Sequence, residues 1–375
     1  MKKKRKTVKP DYYDTFQCIA DQCTFTCCQE WKIAVDDKTE EKWKNYSNPD
    51  EKSKQLSESV IEKDGARVIE LKQDKKCPYL NKDKLCKLVI VYGEEILSET
   101  CHTFPRQIHD FDTRTEYSLV ACCPAVIDIW NKRDDILHIG DSELENNTEF
   151  LLRKQMINIV KNKKNSNEKN FLLLFYMLLD IYKDEKKMEQ YRNLTILEPV
   201  SSQIDKMKFS IEDTFYERNE LFLDMIENYR KESLYHEHLD KIAELADKIS
   251  EECVKIEMEK EVKVFRKEIE KYEQLFRNFL SSEIFTNILI PGGDLESMIV
   301  MTQWMAMEYA VMIHAIFLYW YENGKKPLSY EKTRDYIVLS ARITGYDQED
   351  IYEYLENSFE DLIWDWGYLA LIIGK

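Results

Sequence analysis

Nine of the ten cysteines lie between Cys18 and Cys123, close enough in sequence to suggest shared chemistry. At 375 residues the chain can bury a core without disulfides. No apolar signal-peptide segment follows the N-terminal lysines, so we expect a cytoplasmic protein whose reduced thiols bind metal. The tenth, Cys253, lies on an apolar helical stripe, which indicates a small buried thiol. The nine are Cys18, Cys23, Cys27, Cys28, Cys77, Cys86, Cys101, Cys122 and Cys123.

So many thiolates suit zinc or an iron-sulfur cluster, but their spacing matches no standard site. There are no paired CxxC motifs and no ferredoxin run, and Glu30 stands where the third cysteine of a radical-enzyme cluster loop would be. Adjacent Cys27 and Cys28 point in opposite directions if the segment is extended. Since one 4Fe-4S cluster takes four thiolates, the spacing leaves open one or two metal centres.

Charged residues beside the cysteines supply candidate groups for binding and proton transfer. Arg106 in "CHTFPRQIH" could bind a carboxylate through two hydrogen bonds, or form a structural ion pair. His102 is an alternative metal ligand. Glu94, Glu95 and Glu99 are candidate bases, although exposed carboxylates on a helix are the simpler interpretation.

Aromatic residues surround the first cysteine group and have two interpretations. They could form a cage around a methylated amine or a sulfonium, or they could be ordinary core side chains. They are Tyr12, Tyr13, Phe16, Phe25 and Trp31.

Three blocks of this sequence resemble the flagellin lysine-N-methylase (FliB) family: "FQCIADQCTFTCCQEWKIAVDDKT", "KKCPYLNKDKLCKLVIVYGEEILSETCHTFPR" and "CPAV". The resemblance covers roughly Tyr12 to Ile127, with looser similarity further on, as in "PLSYEKTRDYIVLSARITGY". Cys122 falls where the family needs no cysteine. The positions that match are Cys18, Cys23, Cys27, Cys28, Trp31, Cys77, Pro78, Leu80, Cys86, Gly93, Cys101, Pro105, Cys123 and Pro124.

The resemblance implies a cytoplasmic enzyme that transfers a methyl group from S-adenosylmethionine to surface lysines of flagellin, with a 4Fe-4S cluster held by the cysteine motif. The expected metal ligands are Cys18, Cys23, Cys27, Cys28, Cys77, Cys86, Cys101 and Cys123, and Arg106 is the candidate for binding the methyl donor. No GxGxxG motif is present, so the donor site is not the usual nucleotide-binding turn.

Two other functions fit the residues. One is a non-catalytic interaction protein held together by zinc, and the other is an iron-sulfur redox or sensing protein. An enzyme would also need a base, because a lysine with a pKa of about 10.4 is mostly protonated at pH 7. The sequence leaves that base unassigned.

Composition favours a mainly α fold, because only nine glycines and eight prolines are present. We expect a basic, flexible terminus (1–10), an irregular cysteine-rich metal-binding region (11–145) and a helical region (146–375). Helix starts are predicted at Asp294, Ser329 and Asp347, and a helix end at Gly345.

The net charge of −16 argues against a nucleic-acid partner. The longest uncharged apolar run, Tyr309 to Tyr321, is shorter than the ~20 residues that a membrane span needs, so a buried core helix is predicted. Peripheral membrane contact and oligomerisation stay open.

Overall fold

The computed structural model describes residues 6–63, 65–137, 147–251 and 257–374, most of them in α-helices, which confirms the mainly α prediction. The described helices are α1 (Asp37–Trp43), α2 (Lys87–Tyr92), α3 (Glu99–Thr103), α4 (Pro124–Asn131), α5 (Thr148–Val160), α6 (Asn167–Lys183), α7 (Glu198–Ile204), α8 (Ile211–Lys231), α9 (His236–Ser250), α10 (Met258–Ile269), α11 (Glu273–Glu283), α12 (Leu295–Glu322), α13 (Tyr330–Ile343), α14 (Gln348–Ser358) and α15 (Trp366–Ile373). The described strands are β1 (Lys6–Val8), β2 (Val60–Lys63), β3 (Ala66–Ile69), β4 (Arg106–Asp110) and β5 (Arg114–Leu119).

The cysteine-rich third, predicted to be irregular, contains two small sheets. β2 and β3 pair antiparallel, and β5 lies between antiparallel β4 and parallel β1. In the β1–β5 register, Lys6 is opposite Arg114 and Val8 is opposite Glu116. Residues 6–8 of the predicted basic terminus are therefore in a strand, while residues 1–5 lie outside the described residues.

Helix α12 is the centre of the helical region and contacts α6, α8, α9, α13 and α15. It begins after Asp294, whose Oδ1 accepts the Ser297 N–H at 2.9 Å. By length and composition it could cross a membrane, yet 94% of its most apolar 18-residue window is buried in the protein. The prediction of a buried core helix is confirmed.

Other helix boundaries also follow their sequence signals. Ser329 caps α13 by accepting the Lys332 N–H at 3.2 Å, and Asp347 caps α14 by accepting the Asp350 N–H at 3.0 Å. Helix α13 ends at Ile343, just before Gly345. The predicted boundary at residue 145 and the predicted position of Cys253 lie outside the described residues.

Both regions contribute to one large core. It contains Tyr12, Phe16 and Phe25 from the cysteine-rich third together with the inner faces of the long helices. A smaller second core around Trp43 and Tyr79 holds the remainder of the cysteine-rich third, including the buried Cys77.

Helix α13 ties the two regions together through polar contacts as well. Arg334 Nη1 donates to Asp128 Oδ1 of α4 at 3.1 Å, and its Nη2 donates to Thr24 Oγ1 at 2.8 Å. Tyr330 OH donates to the same Asp128 oxygen at 2.6 Å, and Asp335 Oδ1 accepts from Thr24. The segment that carries the first cysteines is therefore attached to the C-terminal helices.

A buried ion cluster attaches β5 to the long helices. Glu116, which is 3% exposed, accepts from Arg153 Nη1 at 2.8 Å and Nη2 at 2.6 Å, and it also pairs with Arg114. Arg153 Nη1 donates in addition to the Phe285 carbonyl at 2.9 Å. The π-helical turn Ile284–Ile288 is thereby fixed against the sheet.

We expect Glu116→Gln to lower the free energy of unfolding by about 3–5 kcal/mol, because two buried guanidinium groups would lose their counter-ion. Urea unfolding followed by circular dichroism measures the change. Glu41→Gln, which breaks only an exposed pair with Lys44, is the control and should leave the midpoint unchanged. Equal effects of the two substitutions would contradict this account of the cluster.

Candidate functional site

Backbone N–H groups point at the sulfur atoms of four predicted ligands. The Ala20 N–H donates to Cys18 Sγ at 3.4 Å. Cys23, Cys77 and Cys123 likewise accept the N–H of the residue two positions further on, and each bond lowers the pKa of its thiol. Such hydrogen bonds favour the thiolate, the form of cysteine that binds metal.

Burial has the opposite and larger effect. It raises the pKa of Cys77 and Cys123 to about 12 and that of Cys101 to about 11. Without a cation nearby, these thiols stay protonated. A metal ion would supply the missing positive charge and release their protons.

Electrostatic interactions among the thiols show which cysteines are neighbours. Burial is the main cause of the raised pKa of Cys23, and the charges of Cys27 and Cys18 raise it further. Burial is likewise the main cause for Cys123, whose pKa is also raised by the charges of Cys23 and Cys27. We call Cys18, Cys23, Cys27 and Cys123 the first cysteine group.

The second cysteine group is Cys28, Cys77, Cys86 and Cys101. Burial is the main cause of the raised pKa of Cys77, and Cys101 and Cys86 add to it. Three of the four pack against the second core beside buried Cys77. The Cys77 N–H donates to the Cys28 carbonyl at 2.8 Å, which joins the two segments.

The adjacent residues Cys27 and Cys28 link the groups. A hydrogen bond between their side chains is the largest cause of the raised pKa of Cys28 and lowers the pKa of Cys27 to about 7. The charge of Arg342 lowers the pKa of Cys27 further. Cys27 is therefore the thiol of this pair that ionises first.

The predicted ligands are chemically suited to a zinc or iron-sulfur centre, because they are thiols that accept N–H···S hydrogen bonds. As placed, however, no three Cys, His, Asp or Glu side chains of the described residues are arranged to hold a metal ion. Metal binding by the eight cysteines stays a prediction. Cys122 belongs to neither group, and its Sγ donates to the Ala341 carbonyl at 3.3 Å.

Arg342 of α13 holds the cysteine segment in place from the helical side. It is 6% exposed, and its guanidinium donates to three carbonyls: Phe25 at 2.9 Å, Thr26 at 3.0 Å and Cys122 at 3.1 Å. Its Cζ lies 5.1 Å from the centroid of the Trp31 ring. One side chain thus joins α13 to both ends of the cysteine-rich third.

A cavity of about 440 Å³ lies where the cysteine-rich and helical regions meet. Thr100 and Thr103, on either side of Cys101, line it, as does Trp31, whose Nε1 donates to the Cys27 carbonyl at 2.6 Å. The remaining lining residues include Phe104, Arg106, Cys122, Glu283, Asn287, Trp304, Glu308, Thr344 and Tyr346. We call this space the glutamate cavity.

Two buried carboxyl groups face this space, and the sequence analysis did not identify them as candidates. Glu308 Oε1 accepts from Thr344 Oγ1 at 2.9 Å, and Glu283 Oε2 accepts from Asn287 Nδ2 at 2.5 Å. Burial raises the pKa of Glu283 to about 7. Burial also raises the pKa of Glu308 well above its usual value, and the charge of Glu283 raises it further. The available signal was that each is the lone charge in an apolar stretch, "NFLSSEIFTNILI" and "SMIVMTQWMAMEYAVMIHAIFLYWY".

Most of the other candidates lie away from this cavity. Glu94, Glu95, Glu99 and His102 are exposed, so the first three are surface carboxylates. Arg106 lines the cavity, with its Cζ 5.2 Å from the Phe16 ring centroid, and makes no ion pair with a described carboxylate.

The aromatic cage is not formed as a unit. Tyr12, Phe16 and Phe25 belong to the main core, and Tyr12 OH accepts the Trp130 Nε1–H at 3.1 Å. Trp31 is the member of the five that lines the glutamate cavity. A second cavity, of about 650 Å³, borders Cys23, Glu30 and His238.

Comparison with known proteins decides the family. The family model described as the FliB lysine N-methylase C-terminal domain matches residues 153–372, more than half of the chain. This chain belongs to the FliB lysine N-methylase family. The predicted membership is confirmed, and the match covers the helical region, where the sequence resemblance was looser.

Relatives of this family are found in Salmonella. The flagellar biosynthetic protein FliU of Salmonella muenchen is 28% identical over 141 residues, which are 36% of this chain and 82% of FliU. The lysine-N-methylases of Salmonella typhimurium and Salmonella choleraesuis are each 30% identical over 124 residues, 32% of this chain and 30% of either enzyme. The match thus spans about a third of the lysine-N-methylases. No solved structure matches.

Replacing Arg342 should loosen the cysteine segment. In Arg342→Met the Phe25, Thr26 and Cys122 carbonyls lose their donor, so we expect faster amide hydrogen exchange in residues 23–31, read by mass spectrometry. Lys332→Met, at the half-buried first turn of α13, is the matched control. Unchanged exchange in Arg342→Met would show that the segment is held by other contacts.

Glu308 should also make stability depend on pH. A carboxyl whose pKa is raised above 4.5 by folding favours the folded state at low pH, and that contribution is lost as pH rises toward the folded pKa. We therefore expect the melting temperature of the wild type to fall more steeply than that of Glu308→Gln between pH 5 and pH 8, by calorimetry. Parallel curves would contradict the burial of an ionisable Glu308.

Proposed function

We propose that this protein is a protein-lysine N-methyltransferase that uses S-adenosylmethionine as methyl donor, flagellin as substrate and an iron-sulfur cluster as cofactor. Family membership supports lysine methylation. The observation that carries the proposal is the position of the glutamate cavity, which is lined by the buried carboxyl groups and by Thr100 and Thr103, the residues on either side of Cys101. A methyl donor, a substrate amine and a proton acceptor can meet there.

The cysteines are the proposed cluster ligands. Four thiolates hold a 4Fe-4S cluster, and each of the two cysteine groups contains four thiols. A cluster iron with an open coordination position would supply a binding point for the amino and carboxylate groups of the donor. Arg106, at the cavity and without an acidic partner among the described residues, would pair with the same carboxylate.

Two features support a lysine-rich flagellar substrate. The name of FliU places that relative in flagellar biosynthesis, and this chain matches most of its length. The net charge of −16 would attract a basic partner and raise the rate of encounter. A basic surface of flagellin that displays lysines is such a partner.

Metal analysis of anaerobically purified protein tests the proposal. We expect about four iron and four sulfide per chain, or twice that if both groups are filled. Cys101→Ser should lose cluster iron and the transfer of labelled methyl groups to flagellin, whereas Cys122→Ser, outside both groups, should retain them. Stoichiometric zinc without iron, or no transfer by iron-loaded protein, would contradict the proposal and favour a zinc-held interaction protein.

A further inference from the structure

Glu283 and Glu308 stand out from every other buried acid of the described residues. Five acidic side chains there are buried: Glu116, Glu261, Glu283, Glu308 and Asp335. Glu116 pairs with Arg153, Glu261 with Lys325 and Asp335 with Arg334. Glu283 and Glu308 make no ion pair and accept only from Asn287 and Thr344. Each is therefore a buried carboxyl group without a positively charged partner among the described residues.

Two guanidinium groups in this part of the protein contact other partners. Arg342 is committed to its three carbonyls, and Arg106 lies over the Phe16 ring. Since the two acids face one space and the charge of Glu283 raises the pKa of Glu308, the pair retains one proton more readily than it loses both, which leaves one net negative charge. That charge matches one monovalent cation.

The walls of the cavity favour an organic cation over a metal ion. Trp31, Phe104, Trp304 and Tyr346 line it, and aromatic faces attract alkylammonium groups. No third acid or histidine joins the pair to complete a metal site within the described residues. The volume of about 440 Å³ lies in the range of about 300–1,000 Å³ that is usual for small-ligand sites.

We propose that the glutamate cavity receives the aliphatic ammonium group of the substrate lysine, and that the pair of carboxyl groups of Glu283 and Glu308 accepts its proton. This assignment rests on the proposed methyltransferase function and deepens it. The lysine ammonium transfers one proton to the carboxylate and becomes a neutral amine. Its lone pair forms the new N–C bond while the S–CH₃ bond of the donor breaks and leaves its electrons on sulfur. The product is a methylammonium and a neutral thioether.

The hydrogen bonds and the burial of the two carboxyl groups support proton transfer from the lysine ammonium to this pair. The π-helical turn after Glu283 brings Asn287 to the same cavity, where its amide fixes one carboxylate oxygen. Thr344 fixes one oxygen of Glu308, and no donor among the described residues contacts the other oxygen, which is available to the ammonium. Burial of both carboxyl groups makes them stronger bases than an exposed glutamate.

Binding of n-butylammonium chloride tests the site without requiring turnover. By calorimetry on the iron-loaded protein, we expect the wild type and the exposed-site control Glu349→Gln to bind equally, and Glu308→Gln and Glu283→Gln to bind at least about tenfold more weakly, since each loses one of the two carboxyl groups that face the ammonium. Equal binding by all four proteins would overturn the proposal. Binding of trimethylsulfonium in place of butylammonium would also overturn it, because the cavity would then serve the donor.

Methyl transfer to flagellin tests the role of Glu308 in proton transfer. Glu308→Gln should lower kcat by about 10²–10⁴-fold with unchanged iron content. Its rate should then rise about tenfold per pH unit below pH 10, because the solvent must deprotonate the lysine. A wild-type rate in Glu308→Gln, or a pH profile like that of the wild type, contradicts the assignment. If the wild type binds butylammonium through Glu308 but never methylates flagellin, the proposed function fails and the amine site stands.

Discussion

The three hydrogen bonds of the Arg342 guanidinium are the interaction on which the arrangement of this site depends. They start from the most C-terminal part of α13 and end on carbonyls at Phe25, Thr26 and Cys122, which belong to the two ends of the cysteine-rich third. Lysine could not replace this side chain, since a single ammonium does not present a planar fork of donors. The cavity exists because these segments are held against the helices.

A second constraint is the cost of burying charge. The protein neutralises Glu116, Glu261 and Asp335 with its own cations, whereas Glu283 and Glu308 have no such partner among the described residues. Acidic groups whose pKa is strongly shifted by burial are concentrated at functional sites, where the shifted pKa serves catalysis or binding although burial lowers stability. The buried thiols follow the same logic, because burial raises their pKa and favours the protonated form. A metal ion, if bound as proposed, would release those protons.

Local features of the fold could be predicted from the sequence, and the site only in part. Asp294, Ser329 and Asp347 cap their helices as expected, because a cap depends on residues three or four positions apart. The cysteines were recognisable by type and spacing. Glu283 and Glu308 were not, since the cavity joins them to Trp31 and Thr100 only through tertiary packing. The lone charges in apolar helices, including Arg342 in "YIVLSARITGY", were the available signal.

The central claim is that substrate lysine reaches the space between the cysteine groups and the helical core. A crystal structure of the anaerobic protein with a lysine-containing flagellin peptide tests this most directly. The account predicts lysine Nζ within hydrogen-bond distance of Glu308, beside Trp31 and Trp304. Lysine seated instead in the larger cavity beside Cys23 and His238 would contradict it.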